Sequence, residues 1–313
     1  MTDTQKGMLA GFAGNFIFGL SFLFSSRAFA AANAVFDGSD ALPGADVPAV
    51  LSVRFLFSLL LMTALLPLLK IKLHFKGKPV WKLVLLGLFQ PVIYFIGESF
   101  GLKLTGIVVS SVMIALVPVL CQIFSALFLR EAPNPAQVLF CVLSVAGVIA
   151  VTLFSGKTGG KTYVAGIVFL SIAVLSAVAF NVLGRSISQT FTPFERTYFM
   201  FLVSAVFFTA YALLAAHGHP LLIIKPLASP VFVISILYLG GFSSVGAYLL
   251  VNYANTALPL ARSSVFANVI TVISTTAGFL SGEPFGLPTL AACFVILVGV
   301  WGVQRFAPAE KQP

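Results

Sequence analysis

"VVSSVMIALVPVL", residues 108–120, returns about 152–153 residues later as "ARSSVFANVITVI", residues 261–273. In both copies, two adjacent serines are followed by an apolar run and then by a glutamate, at "FLRE" and "LSGE". Sixteen residues after each glutamate comes a glycine. The pattern indicates an internal duplication, and we predict that the two copies divide the chain into residues 1–156 and 157–313.

The composition excludes an ordinary soluble domain. Of the 313 residues, 59% are hydrophobic and 9% are charged, and the mean hydropathy is +1.06. Soluble domains are roughly 45–50% apolar and about 25% charged. The natural solvent of this chain is a lipid bilayer, which a helix of about 20 apolar residues crosses. Loop lysines and arginines account for the net charge of +9, so we expect no nucleic-acid partner.

Ten apolar segments are predicted to cross the bilayer: 7–31, 47–69, 80–102, 106–129, 135–154, 162–187, 194–216, 229–253, 257–280 and 285–306. Lys and Arg fall mainly on one side when the N-terminus is placed inside. This asymmetry predicts a multi-pass protein of a bacterial-type cytoplasmic membrane with both termini cytoplasmic.

The number of segments determines how the two copies are oriented. Each copy has five spans, and an odd number makes the second copy enter the membrane from the opposite side. The predicted fold is therefore an all-α polytopic membrane protein with ten transmembrane helices, built as two inverted-topology five-helix repeats. Many transporters share this plan, with a substrate site near the midplane between the repeats.

The third span carries a polar stripe at helical positions i, i+4 and i+8: Gln90, Tyr94 and Glu98. This spacing lets all three side chains face one cavity. Pro91 removes a backbone donor and is expected to kink the helix. Gly97 and Gly101 form a GxxxG pair that would let another helix approach closely.

The eighth span carries a matching stripe with the same spacing: Ser244, Tyr248 and Asn252. One residue of slip from the register of the serine pairs lays this stripe over the first. We predict that the two stripes form two walls of one central pathway. The alternative for the tyrosines and serines is ordinary helix packing with local hydrogen bonds.

Glu98 is an ionisable residue within a span, where it is expected to face protein or water. Three interpretations remain open from the sequence. Glu98 binds a cationic substrate, or it takes up a proton as the coupling ion, or it pairs with Arg54 in the outer half of the membrane, where the pair would act as an external gate.

The paired motif resembles that of the EamA-type transporters of the drug/metabolite transporter superfamily, in which each half ends in an "SS…P…E…G" pattern. The pattern falls on Ser110, Ser111, Pro118, Glu131 and Gly147 in the first half, and on Ser263, Ser264, Glu283 and Gly299 in the second. The second half lacks the proline, because Ile270 and Thr271 occupy its place. The resemblance covers nearly the whole chain and implies both the two-repeat fold and transport.

Three asparagines within spans join the predicted site through this resemblance: Asn15, Asn181 and Asn268. They lie on helices that line the central cavity in transporters of the family. A single asparagine within a span more often joins helices by hydrogen bonds. Both interpretations of these residues are kept.

The leading prediction is a secondary transporter of small organic metabolites or drugs that are amino-acid-like, amphipathic or cationic. It would work by alternating access, as an exporter and a monomer, with protons as a possible coupling ion. A nucleotide-sugar or lipid-linked substrate is the alternative, favoured by Arg27 and Arg54. An intramembrane enzyme is disfavoured, because the sequence has no HExxH or GxSxG motif. We predict no cofactor and no metal site.

Overall fold

The structure is a computed structural model, and it describes residues 3–37, 39–117, 119–120, 124, 135–187, 190–257, 266–282 and 287–306. These residues form helices joined by turns and short irregular segments, without strands in the described ranges. Prediction and structure therefore agree on an all-helical chain.

The helices of the first half are α1 (Asp3–Phe36), α2 (Asp46–Leu68), α3 (Val80–Gly87), a π-helical turn (Leu88–Ile93), α4 (Tyr94–Thr105) and α5 (Ile107–Ile114). A long helix α6 (Pro135–Ile187) follows. The remaining helices are α7 (Pro193–Ala215), α8 (Pro220–Ile224), a 3₁₀ turn (Lys225–Ala228), α9 (Pro230–Ile236), a π-helical stretch (Leu237–Ala247), α10 (Tyr248–Ala257), α11 (Ala267–Leu280) and α12 (Leu287–Arg305).

Six helices of the described chain are long and apolar enough to cross a membrane: Thr4–Phe36, Asp46–Leu68, Val80–Thr105, Tyr163–Gly184, Pro193–Ala215 and Pro230–Ala254. Two shorter apolar helices, Val269–Leu280 and Leu290–Gly299, fall within the predicted ninth and tenth spans. The six long helices match six of the predicted spans to within a few residues.

The predicted spans 135–154 and 162–187 differ from the structure, because both lie on the single helix α6. The polar stretch between them, "SGKTGGKT", predicts a break between two spans. Glycine costs about 1 kcal/mol in a helix interior relative to alanine but does not break the helix as proline does. After Pro135 at its first position, α6 contains no proline, so its backbone continues through the glycines.

Helices α2 and α7 pack antiparallel to each other. The Oγ of Ser52 lies 3.0 Å from Thr209 Oγ1 near one end of α2 and α7. Thr63 Oγ1 lies 3.3 Å from Tyr198 OH near their other end. This pairing places the end of α2 beside the start of α7.

The GxxxG prediction is confirmed by the contact between α4 and α6. A Cβ added to Gly97 would lie 2.5 Å from the carbonyl oxygen of Phe169, and one added to Gly101 would lie 2.5 Å from Leu170. Only a glycine leaves room for the backbone of α6 at this distance, as small-residue motifs do between membrane helices. Because Gly97 and Gly101 face α6, the contact determines how α4 is rotated and therefore the direction in which Glu98 points.

Two of the long apolar helices depart from α-helical geometry near their centres. The helix over Val80–Thr105 bends at Gln90, whose backbone is extended (φ −141°, ψ 120°), and Pro91 follows directly. The kink expected from Pro91 is therefore present. The helix over Pro230–Ala254 contains the π-helical stretch Leu237–Ala247.

Neighbouring serines satisfy backbone carbonyls in these irregular stretches. The hydroxyl of Ser176 on α6 donates to the carbonyl of Phe89. The hydroxyl of Ser58 on α2 reaches the carbonyl of Gly240 at 3.1 Å. A bilayer offers no water to unpaired backbone groups, so such partners make irregular backbone tolerable there.

Candidate functional site

The two predicted polar stripes meet at the irregular stretches. Gln90 Nε2 donates a 2.9 Å hydrogen bond to the hydroxyl of Tyr248. Because Gln90 is the extended residue of the bend, its side chain leaves the helix in a direction that a regular helix would not give. The bond joins the third and eighth predicted spans, and thus the two copies of the repeat.

Arg54 lies at the side of this junction and is 2% exposed. Its Nε donates to Ser244 Oγ at 3.0 Å, and one Nη donates to Ser243 Oγ at 3.3 Å. The guanidinium carbon also lies 4.4 Å from the centre of the Phe95 ring, in a cation–π contact. Two hydroxyls and an aromatic face thus hold a buried cation in place.

Glu98 is 5% exposed and lies near enough to Arg54 for their charges to interact. Ion pairs shorter than 4.0 Å in the described residues include Lys78–Glu195 and Lys103–Asp46, but Arg54 and Glu98 do not form one. The hydrogen bonds of the arginine go to serines instead. Glu98 therefore stands beside the arginine without being its direct partner.

Aromatic rings surround the junction. Tyr248 makes edge contacts with Phe18 at 5.1 Å and with Phe201 at 5.9 Å between ring centres. Tyr94, the middle residue of the first stripe, is buried and meets Phe95 edge-on at 5.0 Å. The junction thus combines an acid, a cation, an amide and a phenol within an apolar and aromatic wall.

The predicted asparagines differ in what they contact. Asn252 donates to Thr197 Oγ1 on α7 at 3.0 Å and so joins two helices. Asn15 and Asn181 each donate to a carbonyl four residues earlier in their own helix, at 2.7 and 2.8 Å. Asn268 lies on α11, and its side chain falls outside the described part of the structure. Of these four residues, only Asn252 is seen to bond to another helix.

Comparison with known proteins gives the same pattern of two copies. The family described as the EamA-like transporter family matches residues 5–153 and again residues 164–305. The chain belongs to the EamA-like transporter family. The resemblance based on the serine and glutamate motifs is therefore confirmed.

Two curated relatives of this EamA-family chain carry transporter names. An uncharacterized transporter of Bacillus subtilis, YcxC, is 30% identical over 92% of this chain and 89% of its own length. An uncharacterized transporter of Archaeoglobus fulgidus is 28% identical over 82% of this chain and 88% of its own length. The chain aligns with most of the length of both relatives, which supports transport as the general activity.

A solved crystal structure supports the fold alone. It is 18% identical in sequence, with a TM-score of 0.62 over 95% of this chain and 96% of the other.

Several family positions of the EamA motif fall outside the described residues: Pro118, Glu131, Ser263, Ser264 and Glu283. Ser110 and Ser111 are described and fully buried, and Ser111 accepts at its carbonyl from Thr271 Oγ1 at 3.4 Å.

The sequence analysis missed three residues of this candidate site: Ser243, Phe95 and Thr197. Each is a partner of a residue that was predicted. A buried arginine requires acceptors, and the adjacent serines of "FSSVGAY" were the available hydroxyls in the eighth span. Thr197 and Phe95 carried no signal of their own, because threonine near a helix start and phenylalanine in an apolar run are common.

Metal chemistry finds no support in the described ranges. No group of three or more His, Cys, Asp or Glu side chains comes close enough there to hold a metal ion. His217 lies in a turn with a positive φ of 49°. The polar groups of the junction are suited to binding an organic molecule by hydrogen bonds and charge.

Proposed function

We propose that this EamA-family chain is a secondary transporter that moves small organic molecules through the junction of the two polar stripes by alternating access. In this proposal residues 1–156 and 157–313 are two repeats of inverted topology, and the boundary between them falls within α6. The protein lies in a cytoplasmic membrane with both termini inside, works as a monomer and exports its substrate. The two separate family matches, at 5–153 and 164–305, support the division.

The observation that carries the proposal is the coincidence of two helix irregularities with the polar stripes. The bend at Gln90 and the π-helical stretch Leu237–Ala247 occupy corresponding parts of the sequence repeat. Interrupted helices in corresponding positions of two halves mark the binding site in many transporters. Here Gln90, in the bend, bonds to Tyr248, the residue that directly follows the π-helical stretch.

The chemistry of the junction favours a cationic or amphipathic substrate with an aromatic or aliphatic body. Glu98 supplies a buried carboxylate without a direct arginine partner, and the rings of Tyr94, Tyr248 and Phe18 supply apolar faces. Aromatic faces attract cations electrostatically, and more strongly when water is excluded. A carboxylate in the same wall adds a counter-charge or takes up the coupling proton.

The test is uptake into proteoliposomes by wild-type protein and by Glu98→Gln. Amino acids, quaternary amines and aromatic metabolites are offered with and without a pH gradient. We expect cation transport, gradient-driven transport or both to fall at least tenfold in the variant. Ser204→Ala is the matched control, because Ser204 is equally buried but bonds only within α7, to Met200 O at 2.8 Å.

The outcomes separate the roles of Glu98. Loss of gradient-driven transport with intact substrate exchange assigns the coupling proton to Glu98. Loss of cation binding alone assigns the counter-charge to it. If the variant transports normally but is less stable, Glu98 has a structural role near Arg54. If the wild-type protein transports none of the compounds, the proposed substrate classes are wrong.

An anionic substrate, such as a nucleotide sugar or a lipid-linked sugar, is the second candidate. It is favoured by the guanidinium of Arg54, which is buried at the same junction and bonded to neutral hydroxyls. An anion would replace these hydroxyls as the partner of the arginine. Uptake of an anionic sugar that survives Glu98→Gln and is lost in Arg54→Gln would favour this candidate.

A further inference from the structure

A second surface of the molecule has an organised pattern of charge. Residues 69–79 connect α2 to α3 and are called the strap here. In the strap, Ile71, Leu73 and Phe75 are partly buried, whereas Lys72, His74 and Lys76 between them are exposed. The alternation turns one side of the strap towards the protein and presents the basic side chains outwards.

The strap is held firmly against α7. The backbone N–H of His74 donates to Glu195 Oε1 at 2.8 Å, and Lys78 Nζ lies 3.1 Å from Glu195 Oε2. The Phe75 ring packs edge-on against Phe199 at 5.7 Å. These contacts order the strap, so its exposed lysines project from a supported backbone.

The strap lies where membrane and water meet. It joins the apolar helices Asp46–Leu68 and Val80–Thr105, each of which is long enough to cross a bilayer. Trp81 follows the strap and is 60% exposed, with Lys82 Nζ 5.7 Å from the centre of its ring. Exposed tryptophan next to lysine is typical of the headgroup region, where both side chains are favoured.

The charge of the strap is unbalanced. Lys70, Lys72 and Lys76 are exposed, and the sequence contains no acidic residue between Asp46 and Glu98. Among the described residues, Glu195 is the acid that bonds to the strap, and it already has Lys78 as a partner. The exposed lysines therefore give the outward side of the strap a positive charge.

We propose that the strap is a binding site for anionic phospholipid headgroups, formed by Lys70, Lys72 and Lys76 with Trp81 as the anchor in the interface. Basic segments next to a membrane helix attract anionic lipids, and each lysine near the surface contributes up to about fivefold in affinity. The site is independent of the substrate junction. An anionic headgroup is the partner whose charge complements the exposed lysines of the strap.

The experiment uses Trp81 as the reporter, since the sequence contains two tryptophans and Trp301→Phe leaves Trp81 alone. The full-length variant is reconstituted in phosphatidylcholine liposomes that contain either brominated phosphatidylglycerol or brominated phosphatidylcholine in equal amounts. Bromine quenches tryptophan fluorescence on contact. We expect stronger quenching of Trp81 by the brominated phosphatidylglycerol.

Two variants in this background test the site. Lys70→Gln/Lys72→Gln/Lys76→Gln is expected to abolish the preference for phosphatidylglycerol, and the three exposed positions leave the core contacts of the strap unchanged. Lys225→Gln is the matched control, because Lys225 is exposed but follows the opposite end of α7. Its preference is expected to equal that of the parent.

Three outcomes would overturn the proposal. Equal quenching by both lipids in the parent means that the strap has no preference. An unchanged preference in the triple variant places the anion site elsewhere. Loss of the preference on addition of inorganic phosphate assigns the lysines to a soluble anion rather than a lipid.

Discussion

Gly97→Ala tests the close approach of α4 and α6. The added Cβ would lie 2.5 Å from Phe169 O and 2.9 Å from Ala173 N, both backbone atoms of α6. Backbone atoms cannot rotate away, so the two helices must separate. Overpacking of this kind costs about 1–3 kcal/mol, and alanine returns roughly 0.5–1 kcal/mol by its better helix propensity. The difference is a net loss of at most about 2.5 kcal/mol, and we expect about 1–2 kcal/mol because the added Cβ lies within 3.0 Å of two rigid backbone atoms.

The assay is thermal unfolding of the purified protein in detergent, compared with Gly184→Ala as the control. Gly184 lies on α6, the helix that Gly97 of α4 contacts, but a Cβ added to Gly184 would have only Leu86 Cδ1 nearby, at 3.8 Å. For a chain of this size 1 kcal/mol shifts Tm by no more than about 2–4 °C, so Gly97→Ala should lower Tm by about 2–8 °C. The control should keep or slightly raise Tm. If both variants melt at the wild-type temperature, the tight approach of α4 and α6 is refuted.

Three further substitutions test the contacts of the junction and of the strap. Tyr248→Phe removes the acceptor of the Gln90 bond. We expect a loss of about 1 kcal/mol in stability and a raised KM in proteoliposome uptake, and an unchanged KM would argue against substrate contact. Ser244→Ala leaves the Nε of Arg54 without its acceptor and should cost about 1–3 kcal/mol by thermal unfolding, whereas full stability would show that the bond is dispensable. Lys78→Gln should lower the free energy of unfolding by about 1–2 kcal/mol at low salt and by less at high salt. The measurement is Tm at both salt concentrations, and a loss that does not depend on salt would exclude a charge effect.

Much of the fold could be predicted because the bilayer imposes long apolar helices. Six of the predicted spans reappear as helices of suitable length. The same reasoning failed at 155–162, where glycine and lysine suggested a loop and the backbone stays helical. Glycine weakens a helix without forbidding it, so composition alone does not decide such a stretch.

The site could be predicted in part. The spacing of the two stripes identified Gln90 and Tyr248, which the structure brings into contact. The same spacing assumed regular helices, and it could not show that Gln90 itself is extended. Charge matching suggested Glu98 for Arg54, but side-chain reach and helix rotation put Ser243 and Ser244 within hydrogen-bond distance instead. Such details depend on how helices turn about their axes, which periodicity does not determine.

The polar residues within the apolar helices fall into two groups by what they bond. Ser58 and Ser176 donate to backbone carbonyls in the two irregular stretches, and Asn15 and Asn181 bond to carbonyls of their own helices. A backbone carbonyl within a bilayer has no water to replace a lost partner. The bonds of Ser58 and Ser176 are therefore part of what stabilises the irregular backbone, whereas the carbonyls that Asn15 and Asn181 reach already belong to a regular helix.

The second group bonds side chain to side chain between helices, as Gln90 does with Tyr248 and Arg54 with Ser244. Such a bond can be exchanged for one to a ligand without leaving any backbone group unpaired, so its loss costs less than that of a backbone partner. Glu98 differs from both groups, because it is buried beside these residues and forms no direct ion pair that a ligand would have to replace. The exchangeable bonds and the carboxylate of Glu98 lie at the same junction, so a substrate bound there as proposed would replace side-chain contacts and leave the backbone hydrogen bonds intact.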